Sequence, residues 1–266
     1  RYVKLNTNES PFPPSPRVLD ALSREAIAHL NLYPDPLAKT LRETIAQEYG
    51  VTPEQVFVSN GSDDVLGFAF MAYADQTRGV TIPEVSYGFY QVYAQRYQIH
   101  PTVVPLNADF TLPVEKFMEQ NQLVAFANPN APTSLAMPLR DVERSVASNP
   151  GGVVRVDEAY VDYGGETSIP LLARYPNLLI VRTYSKSRSL AGGRLGYALA
   201  APALIDDLNR MKNTFNPYSV NSLTMVAGIE AMRDRAYFDA CVASTCKQRA
   251  VSAAELRSLG FRVLDS

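Results

Sequence analysis

The chain has 266 residues, enough for one large domain and part of a second. Hydrophobic residues make up 46% and charged residues 20%, an ordinary soluble balance, and the formal net charge of −2 gives no electrostatic basis for binding nucleic acid or an anionic membrane. No apolar run approaches the roughly 20 residues of a transmembrane helix, no signal peptide opens the chain, and the first residue is Arg1 rather than methionine, so the start reads as trimmed.

Residues 3–16 are polar and proline-rich, which predicts an extended arm, since proline fixes φ and bars a helix. A helix is expected over about Pro16–Leu30, with Val18, Leu19, Leu22, Ile27 and Leu30 as its apolar positions; His29 at its end reads as a capping residue. Tyr33-Pro-Asp-Pro36 is a turn, and Leu37–Tyr49 a second amphipathic helix. From Val51 apolar runs alternate with helical patterns. Strands are expected at Val56–Val58, Gly79–Ile82, Thr102–Leu106, Leu123–Ala127, Val153–Asp157, Leu178–Val181 and Leu195–Ala200. Helices are expected between them at Ser62–Tyr73, Tyr87–Tyr97, Pro113–Gln120 and Leu139–Ser148. This alternation predicts an α/β fold with a mostly parallel, buried sheet of seven strands sandwiched by helices. Beyond Pro202 the pattern is helical, over Pro202–Lys212 and then about Val220–Leu259; Phe261–Leu264 reads as the start of a strand and the end as truncated. Cys241 and Cys246 are five apart on one helix and face different ways, so neither a disulfide nor a metal pair is expected, and no metal site is visible. Few cysteines and no leader suggest a reducing, cytoplasmic setting.

Polar residues gather just after the strands, where open α/β sheets bind ligands. Ser59-Asn-Gly-Ser-Asp-Asp64 combines a glycine turn with a helix start whose free N–H groups favour an anion; Ser62 or Asp63 acting as a simple cap is the alternative. Tyr87 could lie over a flat ring or belong to the core of the next helix. Asn128–Ser134 offers hydrogen-bonding side chains on a proline-stiffened loop, or is only a turn. Asp157 closes a buried strand and needs a cationic partner: a protonated pyridine nitrogen, or else Arg155 or Arg182. Lys186 sits between Ser185 and Ser187 at a strand mouth, where burial would favour the neutral amine that forms a Schiff base with an aldehyde; a surface lysine in a Ser/Gly-rich loop is the alternative, and the better reading of the tripeptide taken alone. Arg194 is suited to a phosphate. Amine and phosphate cradle together match what pyridoxal phosphate requires.

With these motifs — LNTNESPFPPSP, YPDP, NGSDD, NPNAPTS, VDEAYVDY and RTYSKSRSLAGGRLGY — the chain resembles the fold-type I pyridoxal-phosphate aminotransferases, within them the histidinol-phosphate aminotransferase family. The resemblance spans residues 5–197. It implies a large cofactor-binding domain at 31–234 and a small one from 1–30 and 235–266. It implies Lys186 as Schiff-base lysine and proton carrier, Asp157 at the pyridine nitrogen, Tyr160 at the ring's phenolic oxygen, and Tyr87 stacked on the ring. Gly61, Ser62, Asp63, Ser185 and Arg194 would hold the phosphate, Asn130 would contact the ring oxygen, and Asn8 and Glu9 would lie near substrate. Tyr33 would reach the partner subunit's cofactor, which makes a homodimer with shared sites. The reaction implied is transamination between L-histidinol phosphate and 2-oxoglutarate. An aromatic aminotransferase or an amino-acid-phosphate decarboxylase of the same fold is the alternative, and a non-catalytic binding module is the alternative of another class. The sequence departs from the family's text at Ala131, Ser134, Ser189 and Gly193, and the family's substrate-carboxylate arginine would lie beyond Ser266.

Overall fold

The computed structural model describes residues 6–265. Helices α1 (Pro16–Ala21) and α2 (Arg24–Ala28) replace the single helix expected over 16–30. The Ser15 side chain caps Val18 N–H and Pro16 sets the first turn, but Leu22, at ψ 50°, leaves helical space and Ser23 starts again. His29 stands at the C-terminal cap of α2. Then follow α3 (Lys39–Tyr49), β1 (Val56–Ser59), α4 (Ser62–Tyr73), β2 (Val80–Pro83), α5 (Phe89–Arg96), β3 (Pro101–Val104), β4 (Leu123–Ala127), α6 (Leu139–Ala147), β5 (Val154–Asp157), β6 (Leu178–Thr183), β7 (Gly196–Ala200), α7 (Pro202–Phe215), α8 (Ser222–Arg233) and α9 (Arg235–Ser258).

The seven strands form one sheet in the order β1-β7-β6-β5-β4-β2-β3. Only β7 runs antiparallel to its neighbours, pairing Gly196 with Ser59 on one side and with Thr183 on the other. Its first residue therefore lies at the edge where the other strands end. Successive strand residues feed two separate cores, as a sheet buried on both faces requires. Val124, Phe126, Val154, Val156 and Ile180 pack toward α3, α6 and α8. Leu123, Ala125, Leu179, Val181 and Ala198 pack toward α4, α5 and α7.

Three further expected elements differ. Residues 113–120 make only a short 3₁₀ turn at Val114–Phe117, because Gln120 and Asn121 turn away to donate their N–H groups to Asn149 Oδ1. The helical stretch 220–259 breaks at Asp234, whose ψ is 65° and whose carboxylate restarts the helix by accepting from Tyr237 N–H. Residues 261–265 form no strand, since no neighbouring strand pairs with them. Cys241 is buried and Cys246 half-buried, both as free thiols.

Candidate active site

The carboxyl edge of the sheet opens on a cavity of about 340 Å³. Its walls bring together Ser62, Asp63, Tyr87, Asp157, Tyr160, Ser185, Lys186 and Arg194, with Glu9 from the arm. These residues are spread over more than half the chain. The parallel strands deliver the loops after β1, β2 and β5 to this edge, and reversed β7 brings the 184–195 turn back to it.

Lys186 is half-buried on that turn. Its Nζ donates to Thr7 O at 2.9 Å and lies 5.5 Å from the centre of the Tyr160 ring. Tyr160 Oη in turn accepts from Asn8 Nδ2 at 3.0 Å. The arm thus lies across the mouth of the cavity. Buried Ser187 donates to Asp162, which fixes the turn from behind.

The anion cradle is built by close backbone approach. Gly61 has φ +88°, a conformation side chains rarely adopt, and a Cβ there would lie 2.6 Å from Arg194 Nη2. A Cβ on Gly196 would lie 2.2 Å from Ser62 N. Both glycines let the start of α4, the start of β7 and the Arg194 guanidinium crowd together. The unpaired N–H groups of the first α4 turn and the Arg194 cation then face one space, which suits a phosphate. Asp63 occupies part of it: its carboxylate accepts from Tyr87 Oη at 2.9 Å and pairs with Arg194 Nη2 at 3.4 Å.

Asp157 is buried at the end of β5. Oδ2 accepts from Tyr90 Oη at 2.9 Å and Oδ1 from Ala159 N–H at 3.1 Å. Burial pushes its carboxyl above the usual carboxylate range, while the Arg155 charge opposes that rise. Neither arginine considered as its ion-pair partner forms a salt bridge with it. Arg182 is taken by Glu158 (2.8 Å) and Asp162 (3.1 Å) on the opposite side of β5. A buried carboxylate facing a cavity, hydrogen-bonded but without an ion pair, is chemically ready for a cationic ligand.

Asn130 stands elsewhere. It is buried in the 128–134 loop, where Oδ1 accepts from Ser86 and Nδ2 donates to Val85 O and Thr133 Oγ1. It borders the adjoining pocket with Asn8, while Ala131 lines the cavity itself. Tyr33 is 82% exposed and away from the cavity, stacked on Tyr218 with ring centres 4.6 Å apart. Thr7, Tyr90 and Arg155 join the site through contacts that no sequence motif marks. Periodicity gives a signal for the last: Arg155 and Asp157 are two apart on one strand and so share a face. Among the described residues no cluster of three or more metal-binding side chains occurs, and no helix is long and apolar enough to cross a membrane.

A family model for class I and II aminotransferases matches residues 1–266. The histidinol-phosphate aminotransferase 2 of Burkholderia mallei is 49% identical over 99% of this chain and 75% of its own length. The chain belongs to the histidinol-phosphate aminotransferase family of class I and II aminotransferases. A second histidinol-phosphate aminotransferase, from Chromohalobacter salexigens, is 47% identical over all of this chain and 76% of its own. The fold agrees. The crystal structure of the Sinorhizobium meliloti histidinol-phosphate aminotransferase, in complex with pyridoxal-5'-phosphate, superposes with a TM-score of 0.89. It is 24% identical, and the match covers 98% of this chain and 72% of that one.

Proposed function

We propose that the chain exchanges an amino group between L-histidinol phosphate and 2-oxoglutarate, a step of histidine biosynthesis in the cytoplasm, with pyridoxal 5'-phosphate as cofactor. One observation carries this reading: an amine, a buried carboxylate, a phenol, a helix start and a guanidinium converge on one cavity. The residues fit the cofactor. The glycine-built cradle of Gly61, Ser62, Ser185 and Arg194 suits its phosphate, and Asp157 suits a protonated ring nitrogen. Tyr160 stands beside Lys186 for the ring hydroxyl, and Tyr87 forms a flat wall. When bound, pyridoxal phosphate supplies an aldehyde for amines and a ring that stores an electron pair.

The chain's own groups do the rest. Lys186 would hold the cofactor's aldehyde end and carry the proton at the substrate α-carbon. Asp157 would pair with the ring nitrogen. Arg194 and the α4 N–H groups anchor the far end, so that Lys186 meets its target in a fixed geometry. Asn8 and Glu9, on the arm across the mouth, are placed to meet substrate.

The reading extends to assembly. Tyr33 and Tyr218, with Leu32, Leu37 and Phe215, expose apolar surface that a second copy would cover, and Tyr33 would then reach the partner's phosphate. Residues 1–30 and 235–266 would belong to a small domain beside 31–234; Tyr237 Oη ties the two ends together by donating to Pro13 O at 2.8 Å.

The test is borohydride reduction followed by peptide mapping, with label expected on Lys186 alone. Turnover is then compared for histidinol phosphate, phenylalanine and threonine phosphate. Preference for histidinol phosphate supports the substrate; preference for phenylalanine makes this an aromatic aminotransferase, and loss of carbon dioxide from threonine phosphate a decarboxylase.

A further inference from the structure

Arg155 is fully buried in β5, and Nε, Nη1 and Nη2 all lack a hydrogen-bond partner within the protein. An arginine cannot shed its proton, so this is a permanent charge inside the core. Its guanidinium lies 4.3 Å from the centre of the Tyr90 ring and 5.5 Å from that of Phe70. Tyr90 in turn donates its hydroxyl to Asp157 Oδ2. Cation, ring, hydroxyl and carboxylate thus form one column that ends in the cavity. Apolar residues such as Phe57, Leu66 and Ile82 fill the same core around it.

We propose that Arg155 is a positioning residue for Asp157: through the stacked Tyr90 it keeps the carboxylate ionised and aimed into the cavity before the cofactor arrives. The inference rests on the reading of the cavity as a pyridoxal-phosphate site. The other groups around Asp157 do not supply this. Asp63 on α4 opposes its charge, and Tyr87 and Tyr90 are neutral phenols. Lys186, Tyr160 and Arg194 stand on the cavity wall; Arg194 is engaged by Asp63, and Lys186 by Thr7. Arg155 is the cation whose charge favours ionised Asp157 from within the core. Without it, burial carries the carboxyl further upward and the site takes a proton in place of a cationic ring.

Arg155→Met tests this, since a flexible apolar side chain of similar length removes the charge and fills the space. Pyridoxal-phosphate dissociation constants are measured for the unaltered chain and the variant from about pH 8 to about pH 6. The ratio of variant to unaltered Kd should grow by about tenfold as pH falls, because Asp157 protonates in the variant alone. Using the ratio cancels titration of the cofactor's own groups. In infrared spectra of the cofactor-free proteins, a protonated-carboxyl band should appear at neutral pH in Arg155→Met and vanish in Arg155→Met with Asp157→Asn. The melting temperature should hold or rise, since replacing a buried unpaired cation by an apolar group is often neutral or better.

A pH-independent ratio with no new carboxyl band overturns the proposal. If Arg155→Met does not fold, Tyr90→Phe, which keeps the ring and removes the hydroxyl, must show the same pH-dependent ratio; a flat one overturns it. Failure of the unaltered chain to bind pyridoxal phosphate overturns the functional reading and this role together. Binding with a flat ratio removes only the role of Arg155.

Discussion

At the scale of single residues the site combines chemical need with local strain. Ser134 has φ +64° and Ser189 φ +54°, the left-handed region that side chains tolerate poorly. Ser189 Oγ is paired with Ser10 Oγ at 2.8 Å, whereas Ser134 is exposed. Ser134→Gly should therefore stabilise the fold by roughly 0.5–1 kcal/mol, net of glycine's greater unfolded freedom, as read by thermal or urea unfolding. Asp157 shows the opposite relation between stability and function. Its carboxyl is raised in the folded state, so the folded chain holds that proton more readily than the unfolded chain does. That stabilising contribution is complete below the ordinary carboxylate pKa and is lost as pH rises through the folded value. At neutral pH Asp157→Asn should raise the melting temperature of the cofactor-free chain while weakening cofactor binding; a lower melting temperature would count against this assignment. Lys186→Ala should abolish turnover yet still bind cofactor without a covalent link, visible as loss of the borohydride label. The sequence made Lys186, Asp157, Tyr160 and Arg194 legible because each combines a reactive group with a strand end. It did not separate Asn130 from Ala131, since which of two adjacent loop residues faces the cavity depends on Ser86, 44 positions away. Arg155 read as an ion-pair candidate because spacing reveals a shared face and not an intervening ring.

At the scale of elements, the two packing contacts that make the cradle should be intolerant of change. Gly196→Ala would drive a methyl into the backbone of Ser62, separating β7 from α4. A loss of about 1–3 kcal/mol is expected, together with weaker phosphate-dependent binding, measured by unfolding and by cofactor titration. On the other side of β5, Arg182 binds Glu158, Asp162 and Thr167 and donates to Tyr49 Oη. Arg182→Met would leave Glu158 fully buried without its cation, and should cost about 3–5 kcal/mol. Urea denaturation of both variants distinguishes a local from a global effect. Strands were legible because runs such as Leu123–Ala127 and Leu178–Val181 are apolar on both faces. Helix limits were less so. The breaks at Leu22 and Asp234 arise where one residue leaves helical ψ, and apolar spacing continues across both. Phe261–Leu264 is apolar enough for a strand, but no strand lies beside it.

At the scale of the whole molecule, shared sites have a distinct signature. If Tyr33 serves the partner's cavity, mixing Tyr33→Phe with Lys186→Ala chains should form heterodimers that retain one intact site. Given random pairing, heterodimers should restore about a quarter of the unaltered level, and any residual activity of Tyr33→Phe homodimers adds to that. A verified heterodimer without recovery would refute sharing. The apolar patch around Tyr33 and Tyr218 was invisible in the sequence, since the YPDP turn and the segment after α7 are about 180 residues apart.

The direction of β7 has a consequence for how this chemistry can vary. Amine and guanidinium ride on one short tether slung between two strand ends, so they can only drift in concert. Were that strand flipped to match its neighbours, the tether would have to cross the full height of the sheet, and the two handles would part company. A single reversal of direction keeps nucleophile and anchor on a common leash.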